Sequence, residues 1–113
     1  MHGIGIDIVE FQRIRQIKEI EKFVERILSE DEKKVYNSQK NENRKIEYLA
    51  GRFAAKEAIY KAMPDQSTAK GFINYSVLND ERGVPYVTGP FQEKIMITIS
   101  HSENYVVAFV VIL

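Results

Sequence analysis

Hydrophobic and polar residues alternate along the first part of the chain, from His2 to Val9. Alternation with a period of two is typical of a β-strand whose two faces meet different surroundings. Ile4, Ile6 and Ile8 share one face, and Gly3, Gly5 and Asp7 share the other. We predict a strand with a packed side and a bare side, on which the glycines let something approach the backbone closely. The alternative is that the glycines only accommodate a neighbouring element of the fold.

The pattern becomes helical from about Phe11 to Leu28. Apolar positions there recur at spacings of three and four, as on the buried side of an amphipathic helix. This stripe consists of Ile14, Ile17, Ile20, Val24, Ile27 and Leu28. A short second helix is predicted to begin at Ser29, because Ser29 and Glu32 have the spacing of a capping box. The polar stretch from Asn37 to Asn43 is predicted to be a loop.

The strongest helix prediction covers Ile46 to Met63 and ends at Pro64. Helical periodicity places an apolar stripe on one face, made of Ile46, Leu49, Ala50, Phe53 and Tyr60. Glu57 falls in the middle of this stripe. A carboxylate there must lose its charge or find a cation, because an unpaired buried charge is costly. Lys61, one turn later, could supply part of that charge; the alternative to a functional role is a structural ion pair.

After a loop from Pro64 to Gly71, the rest of the chain is predicted to form β-structure. The predicted strands are Phe72–Leu78, Val84–Val87, Lys94–Ile99 and Tyr105–Leu113. The last strand is apolar on both faces, so helices should cover one face and another subunit could cover the other. We therefore predict a single domain, residues 1–113, of the α+β class. Its helices should pack on one face of a mainly antiparallel sheet.

Composition excludes several classes of protein. Sixteen basic and sixteen acidic residues give a net charge of zero, so bulk charge predicts attraction neither to nucleic acid nor to a membrane. The absence of cysteine excludes disulfides, thiolate metal sites and a cysteine nucleophile. No basic leader precedes a long apolar run, and no apolar run is long enough to span a bilayer. The expected compartment is the cytoplasm.

Two carboxylates, Asp7 and Glu57, stand in unusual places and suggest chemistry. If the fold brings them together, their charges repel unless a cation lies between them. Mg²⁺ suits an all-oxygen pair and usually takes waters and substrate phosphates as further ligands. Lys56 and Lys61 flank Glu57, and His101 lies between two serines at a predicted strand end, where phosphate contacts are plausible. These residues together predict a site for a magnesium-bound phosphoric anhydride.

A basic row is predicted along the first helix, at Arg15, Lys18, Lys22 and Arg26. Such a row is usually solvated surface. The functional interpretation is a docking edge for an acidic helix, since complementary charge raises the association rate and fixes the register.

Three segments make the chain resemble the holo-acyl-carrier-protein synthases, the small trimeric branch of the 4′-phosphopantetheinyl transferases. They are Gly3–Glu10, Leu49–Ala58 followed by Lys61, and Ile99–Ser102. The resemblance implies transfer of the phosphopantetheine arm of coenzyme A to a serine of acyl carrier protein, with Mg²⁺ as cofactor. The second product would be adenosine 3′,5′-bisphosphate, and the assembly would be a homotrimer.

The resemblance also implies roles for individual residues. Asp7 and Glu57 would bind Mg²⁺, and together with Lys61 they form the predicted catalytic group. Lys61 and His101 would contact phosphate oxygens. The remaining predicted substrate-binding residues are Ser102, beside His101, and Gly83 and Pro85, in a turn near the adenine of a coenzyme A held by the neighbouring subunit. Arg13, Lys22 and Arg26 match the positions that meet the carrier protein, and Arg15 and Lys18 extend that row by periodicity.

One stretch departs from the family pattern. The family continues the helix of Lys61 into a Gly-Thr-Gly loop, whereas this chain has Met63 to Thr68 there, including Pro64 and Asp65. This departure motivates an alternative hypothesis, a non-catalytic module that binds coenzyme A or carrier protein. A second alternative is a Mg²⁺-dependent phosphohydrolase, because two carboxylates with Mg²⁺ could equally activate water.

Overall fold

The computed structural model describes residues 2–65 and 71–113. Its elements in chain order are β1 (Gly3–Glu10), α1 (Phe11–Arg15), α2 (Ile20–Ile27), α3 (Glu30–Asn37), α4 (Glu42–Ala62), a short 3₁₀ helix (Phe72–Asn74), β2 (Ser76–Asn79), β3 (Pro85–Thr88), β4 (Ile95–His101) and β5 (Tyr105–Ile112). Most of the loop predicted between Pro64 and Gly71 lies outside the described residues. None of the described helices is long and apolar enough to cross a bilayer.

β5 lies at the centre of a three-stranded antiparallel sheet in the order β1-β5-β4. Asp7 is paired with Ala108, and Ala108 is paired with Ile99 on the far strand. β2 and β3 form a separate antiparallel hairpin. α4 packs across one face of the three-stranded sheet, against β1 and β5. The predicted α+β class, with helices on one face of an antiparallel sheet, is confirmed.

The two faces of β1 are used in the opposite way from the one predicted. Ile4, Ile6 and Ile8 are 55%, 56% and 58% exposed. The glycine face is the packed one: a Cβ atom at Gly5 would overlap the carbonyl oxygen of Ala58 in α4. The glycines therefore accommodate a neighbouring helix, which was the alternative interpretation of the pattern.

The helix predicted from Phe11 to Leu28 is divided into α1 and α2. The amide of Ile17 donates to the carbonyl oxygen of Ile14, the tighter spacing that commonly ends a helix. Isoleucines at 14, 17 and 20 are spaced by three, so they drift around a helix of 3.6 residues per turn. The break lets α1 bury Phe11 and Ile14 while α2 buries Phe23, Val24 and Ile27.

Two further boundaries differ from the predicted ones because side chains bind the backbone. α4 begins at Glu42 rather than Ile46, since the Asn41 side chain accepts the Arg44 amide at 2.9 Å and caps the helix. The strand predicted from Phe72 begins instead as a 3₁₀ helix, and β2 starts at Ser76.

The predicted capping box at Ser29 and Glu32 is confirmed. Tyr60, assigned to the buried stripe of α4, is 42% exposed.

Candidate active site

β1 and α4 bring the predicted catalytic residues together at one edge of the sheet. The Lys61 ammonium donates to the Asp7 carboxylate, with Nζ 3.0 Å from Oδ1, and to the carbonyl oxygen of Ile6 at 2.9 Å. Glu57 lies one turn before Lys61 on α4 and is half-buried. The charge of Asp7 acts on the Glu57 carboxylate, as do the charges of Lys61 and Arg13. The structure thus places Asp7, Glu57 and Lys61 in one cluster, with Arg13 beside it.

Burial raises the pKa of the Glu57 carboxyl above its ordinary value, and the negative charge of Asp7 raises it further. The positive charges of Lys61 and Arg13 oppose that shift. Lys61 forms an ion pair with Asp7 rather than with Glu57. The i,i+4 pair of Glu57 and Lys61 expected from the sequence is therefore not the main contact of Lys61. The Glu57 carboxylate is therefore left with an incompletely balanced charge, which a bound proton or cation would neutralise.

The free energy of unfolding of the metal-free protein should fall as pH rises through the raised pKa of Glu57. The folded state holds this proton more tightly than the unfolded chain does. The stabilisation is fully present below the unfolded pKa and is lost as pH rises through the folded one. Urea denaturation with a chelator present, from about pH 4 to about pH 8, should show this trend in the wild type relative to Glu57→Gln. If the free energy of unfolding of the wild type instead rose relative to that of Glu57→Gln with increasing pH, the prediction would be wrong.

The donor set of this cluster fits Mg²⁺. Asp7 and Glu57 offer only carboxylate oxygens, and Mg²⁺ is commonly held by one or two carboxylates together with substrate phosphates. Within residues 2–65 and 71–113 there is no group of three or more His, Cys, Asp or Glu side chains able to hold a metal. A divalent ion at Asp7 and Glu57 would therefore take its other ligands from water and from the substrate.

A cleft of about 410 Å³ contains most of the predicted substrate-binding residues. Gly83 and Pro85 line it from the β2–β3 hairpin, and His101 lines it from the end of β4. The amide of Ser102 donates to the carbonyl oxygen of Tyr105 at 2.9 Å and closes the turn that follows His101. The lining described for this cleft does not include the Asp7 cluster. In one chain, the predicted site residues therefore form two groups.

Both groups lie on the side of the sheet that α4 covers. His101 is paired with Val106, which is paired with Val9, and both valines are buried. Paired residues of neighbouring antiparallel strands point to the same side. His101 and Asp7 are therefore on the same face, on opposite edge strands.

Arg52 is a charged residue of the cleft to which periodicity and motif spacing assign no role. It is buried, its guanidinium donates to the Asn79 side chain at 2.7 Å, and it lies over the Tyr48 ring at 4.5 Å. Burial raises the pKa of the Tyr48 hydroxyl to about 12, against the opposing charge of Arg52. The i,i+4 spacing of Tyr48 and Arg52 is the signal in the sequence that could have indicated this pair.

The residues predicted to meet a carrier protein are divided by the helix break. Arg13 on α1 lies 5.5 Å from the centre of the Phe53 ring, and Arg26 on α2 lies 5.9 Å from that of Phe23. The two rings contact each other edge to face at 5.1 Å. Both rings are buried, so the exposed part of this group is the pair of guanidinium groups, which we call the Arg13–Arg26 surface. Phe53 lies one turn before Glu57 on α4.

The other basic residues do not continue a single helix face. Arg15 donates to the side chain of Asn43, Lys18 is exposed in the turn between α1 and α2, and Lys22 forms an ion pair with Glu19 at 3.2 Å. The prediction of one continuous basic row on one helix was therefore wrong. Its cause is the break after Arg15, which changes the direction of the chain.

Lys56 does not lie beside the Glu57 carboxylate, as its neighbouring position suggested. Its side chain is completely buried and forms an ion pair with Glu32 of α3. Successive helical residues point about 100° apart, so Lys56 and Glu57 face different surroundings. Lys61 supplies the positive charge next to Asp7.

Comparison with known proteins agrees with the fold. The sequence profile of the 4′-phosphopantetheinyl transferase superfamily matches residues 3–110. A holo-[acyl-carrier-protein] synthase from Acholeplasma laidlawii is 45% identical over 99% of this chain and 96% of its own length. One from Anoxybacillus flavithermus is 47% identical over 97% of this chain and 93% of its own length.

Solved structures show the same likeness. The crystal structure of a holo-(acyl-carrier-protein) synthase from Bacillus anthracis in complex with coenzyme A (3′,5′-ADP) has a TM-score of 0.85 and is 42% identical. The match covers 98% of this chain and 95% of that one. On this sequence match and this shared fold, the chain belongs to the 4′-phosphopantetheinyl transferase superfamily.

Proposed function

We propose that this protein transfers the 4′-phosphopantetheine group of coenzyme A to a serine of apo acyl carrier protein, with Mg²⁺ as cofactor. The observation that carries the proposal is the meeting of Asp7 and Glu57 beside Lys61. It occurs in a chain whose relatives, nearly equal in length, are called holo-[acyl-carrier-protein] synthases. The second product is adenosine 3′,5′-bisphosphate.

The reaction is a phosphoryl transfer, in which positioning and charge neutralisation supply most of the catalysis. The carrier serine oxygen forms a bond to the β-phosphorus of coenzyme A, and the bond from that phosphorus to the adenosine bisphosphate oxygen breaks. Lys61 offsets negative charge on the pyrophosphate. The Glu57 carboxylate accepts the proton of the serine hydroxyl as general base. Burial and the charge of Asp7 raise the pKa of this carboxyl. Asp7 and Glu57 would hold Mg²⁺, which when bound would supply further charge neutralisation.

The carrier protein docks on the Arg13–Arg26 surface in this proposal. Two exposed guanidinium groups lie there over buried aromatic rings, which suits a partner with acidic residues. Arg13 also acts electrostatically on Glu57, so the surface reaches the catalytic cluster. A carrier bound here would present its serine close to the carboxylate that takes the proton.

The proposed assembly is a homotrimer. The sheet face opposite α4 exposes Ile4, Ile6 and Ile8 on β1 and Met96 on β4. A contiguous apolar face of this kind commonly marks an interface between proteins. Association of subunits would also explain why the Asp7 cluster and the Gly83–Pro85 turn are separate in one chain, since a coenzyme A could bridge two subunits.

Replacing Ile6 with lysine should produce a monomer. The substitution places a charge in the middle of the three exposed isoleucines of β1 without disturbing the packed side of that strand. Light scattering after size exclusion should give a trimer for the wild type and a monomer for Ile6→Lys, with unchanged circular dichroism. Ile73→Lys, at an exposed isoleucine of the 3₁₀ helix, is the matched control and should remain a trimer. A wild type that elutes as a monomer would contradict the proposed assembly.

Transfer is tested by incubating the protein with coenzyme A, Mg²⁺ and apo carrier protein, and weighing the intact carrier by mass spectrometry. A gain of one phosphopantetheine group supports the proposal. Coenzyme A binding in calorimetry with an unchanged carrier would favour the non-catalytic module instead. Cleavage of coenzyme A when no carrier is present would favour the phosphohydrolase.

A further inference from the structure

Lys56 and Glu32 form a completely buried ion pair that the proposed reaction does not use. The Lys56 ammonium lies 2.5 Å from Glu32 Oε1. Three backbone carbonyl oxygens are also within hydrogen-bond distance: Ile27 at 2.8 Å, Phe72 at 2.6 Å and Tyr75 at 3.1 Å. One side chain of α4 thus binds the end of α2, the start of α3 and both ends of the segment that leads into β2.

Glu32 extends these contacts to the β2–β3 hairpin. Its Oε1 accepts the amide of Ser29 at 2.8 Å, and its Oε2 accepts the amide of Val77, in β2, at 2.7 Å. The hydroxyl groups of Ser29 and Ser76 share a further buried hydrogen bond at 2.6 Å. The hairpin is not a member of the three-stranded sheet, so these contacts, together with the hydrogen bond from Arg52 to Asn79, hold its first strand against the helices.

The hairpin carries part of the cleft. Gly83 and Pro85 lie at the turn and at the start of β3, and both line the cavity that also contains His101. Lys56 and Glu57 are consecutive residues of α4, with Lys61 one turn beyond. The ion pair therefore connects α4, which bears Glu57 and Lys61, to the hairpin, which bears Gly83 and Pro85.

We propose that the Lys56–Glu32 pair is a positioning unit that holds the β2–β3 hairpin at a fixed distance from α4, so that the coenzyme A cleft keeps its shape. The identity of the ligand rests on the proposed function. The pair acts through the backbone and does not touch the substrate, so it is not catalytic. The pair affects the binding of coenzyme A.

Contribution to overall stability alone is a weaker explanation of the pair. Buried ion pairs can often be replaced by apolar side chains of similar volume without loss of stability. Such a replacement here would leave the carbonyl oxygens of Phe72 and Tyr75 and the amide of Val77 without these partners. Loss of a buried hydrogen bond by a backbone group is costly unless water replaces the partner. The segment from Phe72 into β2 should shift outward to reach water, which displaces the hairpin.

The test is the double variant Lys56→Met with Glu32→Gln, which keeps side-chain volume, removes both charges and removes the ammonium donor from the carbonyl oxygens of Phe72 and Tyr75. A misplacement of about 1 Å can cost about 100-fold in rate, so the KM for coenzyme A should rise roughly 10- to 100-fold, with a smaller change in kcat. Hydrogen exchange should accelerate at the amides of β2 and stay unchanged at those of β1 and β5. The matched control is Lys33→Met with Glu25→Gln, which removes an ion pair between α2 and α3 that does not contact the hairpin.

A double variant with the wild-type KM and wild-type exchange in β2 would overturn the proposal. If the double variant fails to fold, the single variant Glu32→Gln is measured in the same way, and its failure to fold would also overturn the proposal, because the pair would then serve the whole fold. Should the wild type show no transfer, the proposed function fails separately. Calorimetric affinity for coenzyme A and exchange in β2 then decide whether the pair positions the hairpin.

Discussion

Replacing Glu57 with glutamine is expected to lower the rate of phosphopantetheine transfer roughly 1,000-fold, with the protein still folded. Glutamine keeps the shape of the side chain but can neither accept the serine proton nor offer a charged oxygen to Mg²⁺. Because burial and Asp7 already disfavour the ionised Glu57 carboxyl, the variant should be at least as stable as the wild type near neutral pH. Lost activity together with retained stability would separate a chemical role from a folding role.

The measurement is the initial rate of carrier modification at saturating coenzyme A, with denaturation curves for both proteins. Glu42→Gln is the matched control, since Glu42 is an exposed carboxylate in the first turn of the same helix. It should retain the wild-type rate. Turnover of Glu57→Gln equal to that of the wild type would remove Glu57 from the mechanism.

Replacing Gly5 with alanine is expected to destabilise the protein by at least ~3 kcal/mol. The added methyl group would overlap the carbonyl oxygen of Ala58, which belongs to the backbone of α4 and cannot rotate away. Relief requires α4 to move off β1, which disturbs the packing of the helix on the sheet and displaces Glu57 from Asp7. Urea denaturation monitored by circular dichroism measures the effect.

Gly51→Ala is the control for this prediction, because Gly51 is also a buried glycine but lies within α4. A Cβ atom there meets only a methyl group of Val106 at 3.8 Å, an ordinary contact. Alanine is favoured over glycine in a helix by about 1 kcal/mol, so Gly51→Ala should stabilise the protein. If the two substitutions changed the free energy of unfolding equally, the close approach of α4 to β1 would not be the reason for glycine at position 5.

The parts of the fold that sequence patterns predicted are those that depend on local periodicity. The apolar stripe of α4, apart from Tyr60, and the hairpin of β4 and β5 follow from side-chain spacing alone, and both are present. The predictions failed where a distant side chain binds the backbone. No local pattern shows that Lys56 takes the carbonyl oxygens of Phe72 and Tyr75, and these contacts replace the first part of the predicted strand with a 3₁₀ helix.

The candidate site was predictable to the extent that a polar residue interrupts an apolar pattern. Asp7 and Glu57 are anomalies of this kind, and in the folded chain the charge of Asp7 acts on the Glu57 carboxyl. Which side of β1 receives α4 was not predictable, because a sheet face can be covered by its own chain or by another. The ion pair of Lys56 with Glu32 was not predictable either. Glu32 lies on a different helix, and the sequence pattern identifies it only as part of a capping box.

The central position of β5 has a consequence for the order in which the chain can fold. β1 finds its hydrogen-bonding neighbour only in β5, where Gly3 is paired with Ile112, and β4 depends on the same strand. Contacts between residues so far apart in sequence form slowly, because a long loop must close first. During synthesis on the ribosome, the part of α4 that packs against β5 would stay open to solvent until β5 emerges. A nascent chain of this protein should therefore be most vulnerable to aggregation and to chaperone capture just before its last strand is made.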